Sequence, residues 1–245
     1  MTDGIKQWWE EIATIFQDEI DLGAGVHWGW PYNGEVRLLE DVEETDVLEL
    51  GCGGGQCAVG LAKQGATVTG IDLSETQLEH ARQLADEHGV DVTLLEGDVT
   101  DLSMFEDDSF DVACNSWVFQ WVADLDACFR ETRRVLRSDG RFVFSMPHPF
   151  YEILDPETQK VADSYFDTGQ YTISYEGMDA DQVLCRHTVS DVFNALRDAG
   201  FVVDQLQEPG SMDPEDYDAG PWGTFVPELM STVPHVIVFD AKPDR

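Results

Sequence analysis

The most constraining feature of this sequence is residues 47–56, Val-Leu-Glu-Leu-Gly-Cys-Gly-Gly-Gly-Gln. A short, mostly apolar run ends at Gly51 and predicts a buried parallel strand. Helical spacing over residues 57–62 stops at Gly65, so the segment predicts a strand, a glycine turn and a helix. Glycine adopts positive φ and lets a ligand touch the backbone. Such a turn at the carboxyl end of a strand is therefore typical of a binding site in an α/β sheet.

The glycines are compatible with two classes of ligand. A dinucleotide site requires G-x-G-x-x-G, and Gly53, Gly55 and Ala58 satisfy only the weaker form that ends in alanine. The alternative pattern, Glu49 followed by glycines at positions 51, 53 and 55, resembles the first motif of class I S-adenosylmethionine-dependent methyltransferases. That ligand carries an ammonium and a sulfonium and no pyrophosphate, so an acidic residue at the strand end suits its charge.

The next two predicted strands agree with this family. Residues 66–71 form the first of them and end at Asp72, at about the spacing where an acid accepts ribose hydroxyls in this kind of fold. Residues 92–96 form the other, and the resemblance implies that Asp98 and Val99 after it contact the adenine.

Strands and helices alternate through most of the chain. Further predicted elements are a helix over 5–20, a helix from a capping box at Ser74-Glu75-Thr76-Gln77 to Gly89, strands over 110–115, 141–146, 201–206 and 235–239, and helices over 125–136 and 190–199. The resemblance covers most of residues 46–204. It implies an α/β, Rossmann-like, seven-stranded sheet in the order 3-2-1-4-5-7-6, with strand 7 antiparallel and helices on both faces.

We predict a single methyltransferase domain over residues 1–245, with an N-terminal helix and a lid in residues 1–45. Aromatic residues between glycines and a proline in 26–34 predict a loop that either covers the glycine turn or plugs the edge of the domain. Residues 147–187 and 207–233 interrupt the regular pattern, and we predict that these inserts form a cap over the acceptor.

The resemblance implies S-adenosylmethionine as the cofactor and S-adenosylhomocysteine as its product. We expect no metal site, because the cysteines form no C-x-x-C pair and no histidines cluster near them. The residues expected to bind the cofactor are Glu49, Gly51, Cys52, Gly53, Gly55, Gln56, Asp72, Leu73, Gln77, Gly97, Asp98, Val99, Asn115, Ser116 and Gln120. Two alternatives stay open: an NAD-dependent oxidoreductase that uses the weaker glycine match, and a non-catalytic cofactor-binding module.

Methyl transfer to many acceptors needs a base, and histidine titrates near neutrality. The candidates are His27, His148 and His187, of which His148 follows the fifth strand and His187 precedes a helix. The alternative for each is a hydrogen bond to loop backbone. Aromatic side chains that either line an apolar acceptor pocket or belong to the core are Trp117, Trp121, Phe150, Tyr151 and Trp222.

The sequence after the fourth strand narrows the acceptor. Enzymes that methylate bases or glutamine often carry Asn/Asp-Pro-Pro-Tyr there, whereas this chain has Asn-Ser-Trp-Val at residues 115–118. We therefore expect a small-molecule acceptor. Its identity, the methylated atom and the oligomeric state are left open.

The net charge of the chain argues against a nucleic-acid partner and indicates a high-salt environment. The formal net charge is −35, with 49 acidic and 14 basic residues, while the hydrophobic fraction of 42% is normal for a folded protein. Nucleic acid is not an expected substrate, because phosphate binding needs clustered Lys and Arg. Acid spread along the whole chain resembles proteins of salt-loving organisms, and an acidic face for a basic partner is the alternative.

Hydropathy and cysteine spacing indicate a cytoplasmic protein. The chain has no apolar run long enough to span a membrane and no basic-then-apolar N-terminus of a signal peptide. Its five cysteines form no C-x-x-C pair, so small buried side chains are expected in preference to a zinc site or disulfides.

Overall fold

The structure is a computed structural model that describes residues 2–20, 22–220 and 223–244. Strands in these residues are β1 (Asp46–Leu50), β2 (Thr67–Asp72), β3 (Val92–Glu96), β4 (Phe110–Ser116), β5 (Leu136–Pro147), β6 (Leu154–Asp155), β7 (Lys160–Val161), β8 (Gly169–Ile173), β9 (Gln182–Arg186), β10 (Phe201–Gln207) and β11 (Val236–Pro243). Helices are α1 (Thr2–Glu19), α2 (Gln56–Ala62), α3 (Glu75–His88), α4 (Leu125–Val135), α5 (Val189–Asp198) and α6 (Pro227–Met230).

Seven strands form the central sheet in the order β10-β11-β5-β4-β1-β2-β3. The predicted sixth and seventh strands are β10 and β11, so the predicted order is confirmed. β11 runs antiparallel to both of its neighbours, and the pairs from β5 through β3 are parallel. Parallel strands bring their carboxyl ends to one edge, and β1 lies at the centre of that edge.

Two elements differ from the sequence prediction. β5 begins at Leu136, directly after α4, because Leu136 pairs with Phe110 and, after an irregularity in register, Arg141 pairs with Val112. The segment 147–187 contains two antiparallel hairpins, β6–β7 and β8–β9, whose short and largely exposed strands give no strong periodic signal in the sequence.

Ser74 caps α3 as predicted, since its hydroxyl accepts the N–H of Gln77 at 3.1 Å. The reciprocal half of the predicted capping box is absent among the described contacts. The side chain of Gln77 instead accepts a hydrogen bond from Gln17 of α1 at 2.8 Å. A donor from a distant helix therefore replaces the local partner that the motif provides.

The core forms on both faces of the sheet because side chains alternate along each strand. Phe142 and Phe144 face α4, where the ring centres of Phe129 and Phe144 lie 5.7 Å apart at an interplanar angle of 34°. Val143 faces the other side, where it shares a core cluster with Trp28. These layers hold the carboxyl ends of β1 and β4 in a rigid frame.

The aromatic loop at 26–34 has two parts. Trp28 is only 2% exposed and packs with Leu38, Leu39 and residues of α2, which makes it a core side chain. Trp30 instead lies against Trp117, with ring centres 5.7 Å apart. In the part of the chain that the structure describes, no helix has the length and apolar character to cross a membrane.

Candidate functional site

The turn after β1 adopts a backbone that favours glycine. Gly51, Gly53 and Gly55 have φ of 66°, 50° and 82°. A Cβ on Gly51 would lie 2.6 Å from a methyl carbon of Val118, and one on Gly55 would lie 2.8 Å from the Cβ of Ala81. The turn is therefore packed closely against its neighbours, and only residues without a Cβ fit at these two positions.

Asp72 fastens this turn to the next strand. Its Oδ2 accepts the N–H of Gly53 at 2.8 Å and its Oδ1 accepts the N–H of Ser74 at 2.9 Å. Burial raises the pKa of Asp72, and these backbone donors partly offset that effect. Each carboxylate oxygen keeps a second lone pair, so the residue retains capacity to accept a ribose hydroxyl.

Glu49 is a buried acid with an unused oxygen. It is 3% exposed and receives hydrogen bonds from the thiol of Cys57 and the N–H of Ala58, but its Oε2 has no partner among the described residues. Burial raises the pKa of Glu49 from its ordinary 4.5 to about 8. A nearby positive charge would favour the ionised carboxylate.

Unused acceptors also lie at the end of β4, beside β1. Asn115 is fully buried, and neither atom of its amide has a partner within the described residues. Gln120 donates to the carbonyl oxygen of Trp117 at 2.7 Å while its Oε1 stays unpaired. Unpaired buried acceptors suit an ammonium such as that of S-adenosylmethionine, whereas a pyrophosphate would need donors.

The other predicted cofactor residues lie at the same edge. Cys52 is buried, and its N–H donates to the carbonyl oxygen of Ile71 at 3.0 Å. The N–H of Gly97 donates to the carbonyl oxygen of Asp72 at 2.9 Å, which joins the ends of β2 and β3. Further predicted residues at these strand ends are half-buried Leu73, Gln56, Asp98 and Ser116, and buried Val99.

Comparison with known proteins supports this interpretation of the geometry. Residues 48–144 match the family model described as a methyltransferase domain. The chain is 30% identical over 177 residues to YbaJ, an uncharacterized methyltransferase of Bacillus subtilis, and the match covers 68% of this chain and 69% of YbaJ. This chain belongs to the class I S-adenosylmethionine-dependent methyltransferases.

A solved structure and a second relative extend the comparison. The S-adenosylmethionine-dependent methyltransferase of Mesorhizobium loti aligns with a TM-score of 0.66 and 27% identity, over 83% of this chain and 93% of that one. A ubiquinone biosynthesis O-methyltransferase of Alkalilimnicola ehrlichii is 31% identical over 137 residues, which cover 50% of this chain and 55% of that protein. The chain thus spans about half the length of this second relative. The NAD-dependent alternative is set aside, because the family uses S-adenosylmethionine.

Sequence analysis missed the part that α1 plays in this methyltransferase. The helix lies across the predicted cofactor residues: Thr2 donates to Asp98 at 3.0 Å, Lys6 forms an ion pair with Glu96, and the Gln17 amide bonds both Gln56 and Gln77. The sequence signal was a polar stripe at positions 2, 6, 10, 14 and 17, opposite the apolar face that predicted a core helix.

The three candidate histidines differ in their hydrogen bonds. Nδ1 of His148 accepts the N–H of Phe150 at 3.1 Å, so Nε2 carries the proton and donates to Glu208 at 2.9 Å. His187 donates from Nε2 to the carbonyl oxygen of Val122 at 2.9 Å, which leaves a lone pair on Nδ1. Burial lowers the pKa of both histidines.

His27 and the predicted pocket aromatics occupy different surroundings. His27 is half-buried, and its Nε2 has no partner in the described part of the chain. Trp121 packs against Trp9 of α1, with ring centres 5.0 Å apart, and Phe150 is exposed. Trp222 lies outside the described residues.

Proposed function

We propose that this chain transfers the methyl group of S-adenosylmethionine to a small-molecule acceptor. The acceptor would be held between the end of β4 and two cap segments, residues 147–187 and 207–233. The observation that carries this proposal is Trp117, which follows the predicted cofactor residues Asn115 and Ser116 directly.

Trp117 is held in an unusual conformation at that point. Its φ is +62°, in the left-handed region that bulky residues rarely adopt, and such strain clusters at functional sites. Its ring meets Trp30 and Phe225 edge to face, with centres 5.7 Å and 5.6 Å away. The indole N–H is buried and has no partner in the described residues, so it offers a donor to a bound oxygen.

The two cap segments are bonded to one another around this aromatic group. The hydroxyl of Tyr151 donates to the carbonyl oxygen of Thr224 at 3.0 Å and accepts the N–H of Val226 at 3.2 Å. Tyr217 packs against Tyr32 of the N-terminal loop, with ring centres 5.5 Å apart. This enclosure supports a role in excluding water from a small acceptor.

Methyl transfer requires little chemistry from the protein itself. S-adenosylmethionine supplies an activated methyl group, and the chain holds the acceptor in line with it and keeps water out. His148 and His187 stay candidate bases in this proposal. For His148 to take a proton at Nδ1, its bond from the N–H of Phe150 must first break, because Nε2 already carries the proton that it donates to Glu208. His187 already has a lone pair available.

The relatives and the charge support the acceptor class. One relative is named as an O-methyltransferase of ubiquinone biosynthesis, which is consistent with a small hydroxylated acceptor. A net charge of −35 disfavours nucleic acid, which is itself polyanionic.

The test is methyl transfer from labelled S-adenosylmethionine to a panel of small phenols, enols, amines and thiols, with S-adenosylhomocysteine measured as the product. Trp117→Phe keeps an aromatic ring, though a smaller one, and removes the indole N–H, so we expect the KM of the acceptor to rise by about 2–12-fold, the value of one hydrogen bond. Phe166→Ala, in an exposed part of the same cap, is the control. Binding of S-adenosylhomocysteine without transfer to any panel member would contradict the proposal.

A further inference from the structure

Two charged side chains of the cap segment 147–187, Glu152 and Arg186, were not among the residues that the sequence analysis singled out. Glu152 lies in the 3-10 turn Tyr151–Ile153 that follows β5, and it is half-buried. Arg186 is the last residue of β9 and is only 8% exposed. A buried arginine is notable in a chain with 14 basic residues and 49 acidic ones.

Arg186 is held firmly but has one unused donor. Its Nη2 donates to Asp163 at 3.0 Å, and its guanidinium carbon lies 4.9 Å from the centre of the Tyr171 ring. The Nε–H is buried and has no partner among the residues the structure describes. A buried, charged donor without an acceptor is costly, so this N–H presents a place for the lone pair of a ligand.

The charge of Arg186 acts on Glu152, although no ion pair or hydrogen bond joins the two side chains in the described residues. The Glu152 carboxylate forms neither an ion pair nor a hydrogen bond within the described part of the chain. Burial raises the pKa of Glu152 to about 7, and Arg186 lowers it in part. Among the described residues, the ionisable groups near this pair include Asp163, which bonds Arg186, and Tyr171 of β8, beside Cys185 and Tyr175. Glu152 therefore has acceptors, and Arg186 has one donor, available to a bound polar group.

This pair lies on the acceptor side of the molecule. β9 packs against the turn Phe119–Trp121 that follows β4, and the adjacent His187 bonds to Val122 of the same loop. The N–H of Glu152 donates to the carbonyl oxygen of His148, close to the end of β5. Both charges are therefore carried on elements that border the carboxyl ends of β4 and β5.

We propose that Glu152 and Arg186 form the polar end of the acceptor site, and that the acceptor is a hydroxyl compound of the phenol or enol class. Arg186 Nε–H would donate to the acceptor oxygen, and Glu152 would take its proton. A hydroxyl matches both partners, because its oxygen has a lone pair for the guanidinium and a hydrogen for the carboxylate. An ammonium would be repelled by Arg186. The inference rests on the proposed methyl transfer.

The proposed step balances without a further reactant. The hydroxyl oxygen forms a bond to the methyl carbon, and the carbon–sulfur bond breaks with its electron pair remaining on sulfur. The hydroxyl proton passes to the Glu152 carboxylate. The products are a methyl ether, S-adenosylhomocysteine and a neutral Glu152, which then releases its proton to solvent.

The experiment compares Glu152→Gln and Arg186→Lys with the unaltered protein. The probes are a series of catechols and cyclic 1,3-diones, with labelled S-adenosylmethionine. For Glu152→Gln we expect kcat to fall by about 10²–10⁴-fold, the range for a lost general base. The rise of kcat with pH through about 7 should be lost with it. Arg186→Lys keeps the charge facing Asp163 but moves the donor, so it should raise the KM for the hydroxyl acceptor.

The control is Glu157→Gln, an exposed carboxylate of the same segment, which should leave kcat and KM unchanged. S-adenosylhomocysteine affinity, measured by calorimetry, should be the same in all variants and shows that each is folded. A Glu152→Gln variant with an unaltered rate and pH profile would overturn its role. Transfer to amines or thiols only would overturn the hydroxyl class while leaving the proposed function standing. Failure to transfer to any acceptor would overturn both.

Discussion

Replacing Glu49 with glutamine is expected to remove a pH-dependent loss of stability from the unliganded protein. Burial raises the pKa of this carboxyl to about 8, whereas an unfolded chain leaves it at its ordinary 4.5. The folded state therefore binds a proton that the unfolded state releases between these two values. The contribution of Glu49 to stability is therefore full below about pH 4.5, falls as pH rises from 4.5 to 8, and is constant above that.

The magnitude follows from the size of the shift. Each pKa unit is worth about 1.4 kcal/mol, so ionising Glu49 in its buried position costs about 3–5 kcal/mol of folding free energy. Glutamine has nearly the same shape and its oxygen can accept the N–H of Ala58. The variant keeps this contact but never carries the buried charge.

The assay is chemical denaturation of the unaltered protein and Glu49→Gln from about pH 5 to about pH 9, in molar salt to screen the surface carboxylates. We expect the two stability curves to separate as pH rises, with the variant the more stable at pH 9 by roughly the magnitude above. Glu87→Gln, an exposed carboxylate of α3, is the matched control. Parallel curves for the protein and Glu49→Gln would refute the argument.

Three further predictions follow from the site and the composition. Asp72→Ala should weaken S-adenosylhomocysteine binding by roughly 1.5–3 kcal/mol, measured by calorimetry, because it removes a charged hydrogen-bond acceptor that also holds the N–H of Gly53. An unchanged affinity would show that Asp72 is not part of the binding site. The melting temperature should rise as salt increases from dilute to molar, because screening relieves the repulsion between carboxylates in a chain of net charge −35. A melting temperature that stays flat or falls over this range would contradict the interpretation of the acidic composition as halophilic. Because we propose Glu152 as the base, His148→Ala and His187→Ala should each lower kcat by less than about tenfold. A fall of about 10²–10⁴-fold in His187→Ala, the one of these two with a lone pair available, would instead assign the proton to His187.

The central sheet was predictable from the sequence because its signals are local. The strand, glycine turn and helix around Gly51–Gly55 were predicted from short apolar runs and from glycines that tolerate positive φ. These signals depend only on residues close together in the chain. The strand order came from the resemblance, and the structure has that order. The charge and the cysteine content were equally accessible, and the structure buries all five cysteines as free thiols.

What the tertiary structure alone decided depends on contacts between distant segments. Only one of the two hydrogen bonds of the predicted capping box at Ser74 forms. The side chain of Gln77 instead accepts a hydrogen bond from Gln17, which is 60 residues away in the chain. The sequence shows that α1 has a polar face, but it does not show that this face contacts the predicted cofactor residues. Glu152 and Arg186 belong to no recognisable sequence motif. Neighbouring residues in the chain predict neither the left-handed backbone of Trp117 nor the unpaired N–H of Arg186. Local patterns determine which elements form. The unpaired groups that perform chemistry arise where elements far apart in the chain pack together and leave a donor or acceptor unsatisfied.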